Sequence, residues 1–199
     1  MLGPGQWAAM FAKEVFVGLV IGFFFGSVLW ALEAAGQIID TKVGATMAQI
    51  VDPLSGHQTS LNGAFLGRLA GIVFIFSGGL SLLVHVLMES YALWPVAAPM
   101  PTLDARGLGL FEAEFGRMMV LATLFAAPVL TVLFLIDLGL GLINRFAQQL
   151  NVFTLSMSIK AFAATALILL LVGSFIEAIT RDILSRPDVI LNILRGLIH

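Results

Sequence analysis

Residues 118–146 read MMVLATLFAAPVLTVLFLIDLGLGLINRF, a stretch in which only Asp137 and Arg145 carry charge. A helix needs about 20 mostly apolar residues to cross the hydrocarbon of a bilayer, so this run alone points to a membrane fold. An open strand would leave backbone N–H and C=O groups unpaired in lipid, and helix is therefore the expected form. Three further runs of the same kind lie at 11–35, 61–88 and 159–179. Together they predict an all-α, polytopic membrane helical bundle with four long hydrophobic helices, the last two forming a C-terminal helical hairpin.

Composition agrees with that reading. The chain is 59% hydrophobic and 11% charged, with a mean hydropathy of +1.03; a soluble domain carries about twice that charged fraction. Its 199 residues suit a single domain. A net charge of −2 provides no basic field, so no nucleic acid partner is expected. The absence of cysteine removes disulfides, thiolate catalysis and cysteine metal sites. The N-terminal apolar run continues far past any small-residue cleavage site, which predicts a retained anchor rather than a signal peptide.

Enzyme signatures fail as well. His57, His85 and His199 are far apart, with no metal-binding spacing among them. Ser55-Gly56-His57 lacks a nucleophile-elbow context, and there is no phosphate-binding glycine loop. Neither catalysis nor a cofactor or metal is expected.

The connections carry more information. Residues 44–63, GATMAQIVDPLSGHQTSLNG, form a polar loop between two apolar runs, with Asp52-Pro53 and Ser55-Gly56 as turn formers. Such a loop needs a wet place, either bulk water or the mouth of a pore. Between the second and third runs, Pro95, Pro99 and Pro101 forbid a continuous helix, while Tyr91 and Trp94 suit a membrane interface. Residues 151–158 read as a compact turn, with Ser156 or Ser158 capping the fourth helix. Arg186-Pro187 should end that helix, leaving 188–198 as a short amphipathic tail on the surface or against a neighbour. Pro128 should kink the third helix. Lysine and arginine placement leans toward both termini in the cytoplasm.

Two glycine stripes recur at spacing four, Gly18, Gly22 and Gly26 in the first run and Gly63, Gly67 and Gly71 in the second. Each set shares one helix face, where absent side chains let backbones approach, within the chain or between chains. Charges inside or beside the spans need partners or hydration. Glu33, Arg68 and Asp137 are candidates for intramembrane ion pairs, with Arg68 facing Glu33 or Asp137. Asp137, flanked by Ile136 and Leu138, is expected to be structural rather than a proton relay.

Three blocks suggest a family. Ala48 to Ser60 (AQIVDPLSGHQTS), Glu89 to Pro95 (ESYALWP) and Gln148 to Lys160 (QQLNVFTLSMSIK) lie in order along the chain. They resemble the type III secretion export apparatus subunit known as SctT, EscT, YscT or HrcT, and its flagellar relative FliR; the second block is most similar to the secretion branch. The resemblance implies a multi-pass subunit of an export gate in the bacterial inner membrane. It further implies partnership with SctR-like and SctS-like subunits and with SctU, contact with membrane lipid, and passage of secreted unfolded proteins. By the same resemblance, residues 1–117 correspond to an SctR-like part and 118–199 to an SctS-like hairpin and tail. The family's plug-like loop maps to about 47–60, which makes Met47, Gln49, Ile50, Asp52, Pro53, Leu54, Ser55, Gly56, His57 and Gln58 the candidate gate residues. Members usually carry further apolar helices before the segment aligned here, so the SctR-like part is expected to be incomplete. The alternative from another class is a small ion channel or secondary transporter using Asp137, Glu33 and Arg68.

Overall fold

A computed structural model describes residues 4–44, 60–98, 105–146 and 152–198. It contains five helices: α1 (Pro4–Val43), α2 (Leu61–Phe76), α3 (Gly79–Leu93), α4 (Ala105–Phe146) and α5 (Val152–Ile198). No strand occurs among the described residues. The all-α bundle predicted from the apolar runs is the fold observed.

α1 is the central helix and touches each of the other four. It opens on Pro4, which fits a first helical position because its missing N–H would be unpaired there anyway. Two apolar cores hang on it. In the first, Val28, Leu32 and Ile39 pack with Leu66 and Ala70 of α2, Ala126, Val129 and Leu133 of α4, and Ile168 and Ile179 of α5. In the second, Val20, Phe24 and Phe25 meet Val86 of α3, Trp94, and Ile190 and Leu194 of α5.

Cross-helix contacts fix the directions. Asp137 meets Lys160, Phe125 stacks edge-on with Phe175, and Arg117 meets Asp182, so α4 and α5 form an antiparallel pair. Gly36 approaches Gly63, and Phe25 approaches Phe74, so α1 and α2 are antiparallel too. α1 and α4 run the same way, since Ser27 bonds Glu114 while Lys42 pairs with Asp137. The C-terminal ends of α1 and α4 and the N-terminal ends of α2 and α5 therefore share one end of the bundle.

Three sequence expectations are corrected. The run 61–88 is not one helix: α2 stops at Phe76, α3 starts at Gly79, and the two are bent by 66°. Gly78 sits in the left-handed region at φ +81°, which a side chain would resist, and a Cβ on Gly79 would lie 2.5 Å from the Phe74 ring. The fourth helix does not end at Arg186-Pro187; α5 is helical through Pro187 to Ile198. The proline forfeits one backbone bond, while Arg186 is anchored just before it and Ile190 and Leu194 are buried just after. The segment 188–198 is thus a packed continuation of α5 against α1 and α3, not a surface tail. Finally, α5 already begins at Val152, so Ser156 and Ser158 lie inside the helix rather than capping it. Pro128 lies within α4, which stays helical on both sides of it.

α1, α4 and α5 are each long and apolar enough to cross a membrane, and α2 with α3 qualifies as one bent span. The chain is a multi-pass membrane protein. With 40, 42 and 47 residues, these three helices outrun the bilayer core, because 30 Å of hydrocarbon needs only about 20 residues at 1.5 Å each.

Candidate functional site

The end where α1 stops and α2 starts is built to hold a loop by its stem. The carboxylate of Asp40, buried near the end of α1, accepts from Ser60 Oγ at 2.6 Å and from the backbone N–H of Asn62 at 3.0 Å, and also from Asn62 Nδ2. Ser60 in turn caps α2, its Oγ accepting from the Gly63 N–H at 2.9 Å. An anion beside a helix N-terminus is favoured by the unpaired N–H groups and the helix dipole. Just below, the two helices touch backbone to backbone: a Cβ on Gly36 would lie 2.5 Å from Gly63 N and 2.6 Å from Asn62 O. The last turn of α1 is therefore tied through Asp40 to Ser60 and the first turn of α2. The candidate gate residues Met47, Gln49, Ile50, Asp52, Pro53, Leu54, Ser55, Gly56, His57 and Gln58 lie outside the described residues.

Asp137 belongs to the same end. Its carboxylate bridges Lys42 of α1 at 2.9 Å and Lys160 of α5 at 3.0 Å, tying three helices together beside the loop stem. The expected partners are not the observed ones. Arg68 is exposed on α2 and joins no ion pair with Glu33 or Asp137 among the described residues. Glu33 lies against Gly67, with its Oε1 accepting from Gln37 Nε2 at 3.4 Å. Spacing along a sequence cannot say which of several cations a long side chain will meet, and lysines of two other helices reach Asp137.

A second polar cluster was not anticipated. Glu114 of α4 accepts from Ser27 Oγ of α1 at 2.5 Å, from Arg117 Nη2 at 2.8 Å and from Arg186 Nη1 of α5 at 2.9 Å. Asp182 accepts from Arg117 Nη1 at 2.7 Å and from Arg186 Nε at 2.9 Å. Two acids thus balance two arginines, and each charge of this cluster faces an opposite one, as a low-dielectric site requires. The signal in the sequence was the i, i+3 spacing of Glu114 and Arg117 and the i, i+4 spacing of Asp182 and Arg186.

A third staple fixes the opposite end. The buried amine of Lys13 donates to Pro95 O at 2.6 Å and Val96 O at 2.9 Å, near the Trp94 ring. The start of α1 is thereby tied to the chain just after α3.

The glycine sets divide. Gly63 and Gly67 serve packing inside the chain, a Cβ on Gly67 coming 3.3 Å from Glu33 Cβ, and Gly26 lies against the Trp30 ring. Gly18, Gly22 and Gly71 face open space. Gly18 and Gly22 floor an open apolar groove of about 630 Å³ walled by Phe16, Leu19, Phe23, Trp30 and Phe111.

Comparison with known proteins places this geometry in context. Residues 2–185 match the family described as Bacterial export proteins, family 1. The chain is 38% identical over 161 residues to Yop proteins translocation protein T of Yersinia pestis, covering 81% of this chain and 62% of that protein. It is 36% identical over 156 residues to the secretion system apparatus protein SsaT of Salmonella typhimurium, covering 78% and 60%. Flagellar biosynthetic protein FliR of Bacillus subtilis is 31% identical over 174 residues, covering 87% and 67%. The chain spans about three fifths of the length of the first two of these relatives.

Proposed function

Since this chain belongs to the bacterial export proteins of family 1, we propose that it is a non-enzymatic subunit of the inner-membrane export gate of a type III protein secretion system. In this role it helps form and close the channel for unfolded substrate proteins. The observation that carries the reading is the clamp beneath the 45–59 segment: Asp40 near the end of α1 holds Ser60 and Asn62 at the start of α2, beside the Asp137 triad. A loop so anchored can occlude a passage without its attachment points drifting apart. Its polar residues suit a water-filled mouth better than lipid.

The partners fitted by this reading are SctR-like and SctS-like gate subunits together with SctU. The open groove over Gly18 and Gly22 provides a surface where a neighbouring helix can approach the α1 backbone. A small ion channel or transporter is the weaker reading, because Glu33, Arg68 and Asp137 do not converge on one pathway.

Deleting residues 52–57 from an otherwise complete apparatus tests the gating role. Leakage of small solutes or ions across the membrane should rise while the complex still assembles. Unchanged leakage in an assembled complex would reduce the loop to a connector.

A further inference from the structure

α2 presents two faces of opposite character. Gly63, Leu66, Ala70 and Val73 are buried, and the helix packs along α1. On the outer side Leu61, Phe65, Arg68, Ile72 and Ile75 are exposed, spaced four, three, four and three residues apart. That alternation is the seam by which one helix receives another at a shallow crossing angle. Apolar residues on such a seam could equally well face lipid. Arg68 could not do so cheaply.

Arg68 lies near the middle of this 16-residue helix, roughly 10 Å from either end at 1.5 Å per residue. Leu61 and Phe65 flank it toward one end, and Ile72 and Ile75 toward the other. Glu33 of α1 lies against Gly67 and accepts from Gln37 rather than from Arg68. Among the described residues Arg68 takes part in no ion pair. A guanidinium cannot lose its proton, so it needs an acceptor delivered by whatever covers the seam.

We infer that the outer face of α2 is a subunit interface that receives a hydrophobic helix of a neighbouring gate subunit carrying one carboxylate at the level of Arg68. The inference rests on the export-gate reading above. Charge complementarity selects the occupant: an apolar helix without an acid would strand the cation, and a second copy of this seam would bring Arg68 against Arg68. Bidentate pairing to a carboxylate would also fix the register of the two helices, which apolar contacts alone leave free to slide.

The test uses the complete set of gate subunits produced together. The unmodified chain must first co-purify with its partners; if it does not, the export-gate reading itself fails. Given that, Arg68→Glu should lower the co-purified partner by about tenfold or more, the loss that 1.4 kcal/mol produces. Arg68→Lys should retain most of it. Exchanging the partner's carboxylate for arginine should restore assembly of Arg68→Glu, which also separates lost pairing from failed folding. A photoreactive side chain at Ile72, with Arg68 intact, should crosslink to the neighbouring subunit. Crosslinks only to lipid, to a second copy or within the chain would overturn the inference, as would full assembly of Arg68→Leu.

Discussion

The most demanding residue in the molecule is Glu114. Its carboxylate is 5% exposed and answers Arg186, itself 3% exposed, along with Arg117 and Ser27. Removing one member of a buried ion pair strands the other charge, at a cost of about 3–5 kcal/mol. Asp137 is the opposite case. Its side chain is 30% exposed, and it pairs with Lys42, exposed near the end of α1, and with Lys160, about two turns inside α5; such partly hydrated pairs contribute about 0–1 kcal/mol. Glu114→Gln should therefore destabilise the purified protein by about 3 kcal/mol in reversible denaturation in detergent, and Asp137→Asn by less than about 1 kcal/mol. Secretion in an Asp137→Asn strain should fall only as far as assembly of the complex falls. Normal assembly with abolished secretion would instead make Asp137 a titrating participant in export.

At the scale of helices, glycines of one helix do different work. A side chain on Gly36 would strike the α2 backbone at 2.5 Å, whereas one on Gly22 meets nothing within 4 Å. Gly36→Leu should thus separate α1 from α2 and lower stability by at least the 1–3 kcal/mol typical of overpacking, roughly. Gly22→Leu should leave the isolated chain as stable as before and fill the groove beside Phe23 and Trp30. If the groove receives a neighbouring helix, Gly22→Leu will also reduce co-purification with partner subunits. Equal loss of stability in the two variants would contradict this division.

These elements also mark where the sequence was legible. Run length and hydropathy located the membrane helices, because the cost of unpaired backbone in lipid leaves few alternatives. The break at Ser77-Gly78 escaped notice since Phe76 and Leu80 keep the hydropathy continuous, and a left-handed glycine leaves no trace in such a profile. Pro187 misled in the other direction: tertiary packing of Ile190 and Leu194 outweighs the proline's local preference. Among the charged residues, Asp137 was recognised as needing partners but those partners come from two other helices. Glu114 and Asp182 lie in more polar sequence and so looked unremarkable, although Glu114 is buried and Asp182 is largely so.

For the whole molecule, the polarity of the bundle follows from its staples. Lys13 near the start of α1 holds Pro95 and Val96, so the chain after α3 belongs to the N-terminal end of α1. Lys42 near the other end of α1 meets Asp137 and Lys160, placing the end of α4 and the beginning of α5 there. Twenty-nine residues separate Lys13 from Lys42 along one helix; at 1.5 Å each, about 44 Å divides the two staples, more than the hydrocarbon thickness of about 30 Å. The two ends should accordingly meet opposite aqueous compartments. The native chain contains no cysteine, so each introduced thiol reports alone. Thr41→Cys and Arg145→Cys, both at exposed positions on the loop-stem end, should react with a membrane-impermeant maleimide from the same side. Val96→Cys, exposed at the other end, should react only from the opposite side. Labelling of all three from one side would mean that α1 does not carry the chain across the membrane, and that its apolar surface is covered by other subunits instead of lipid.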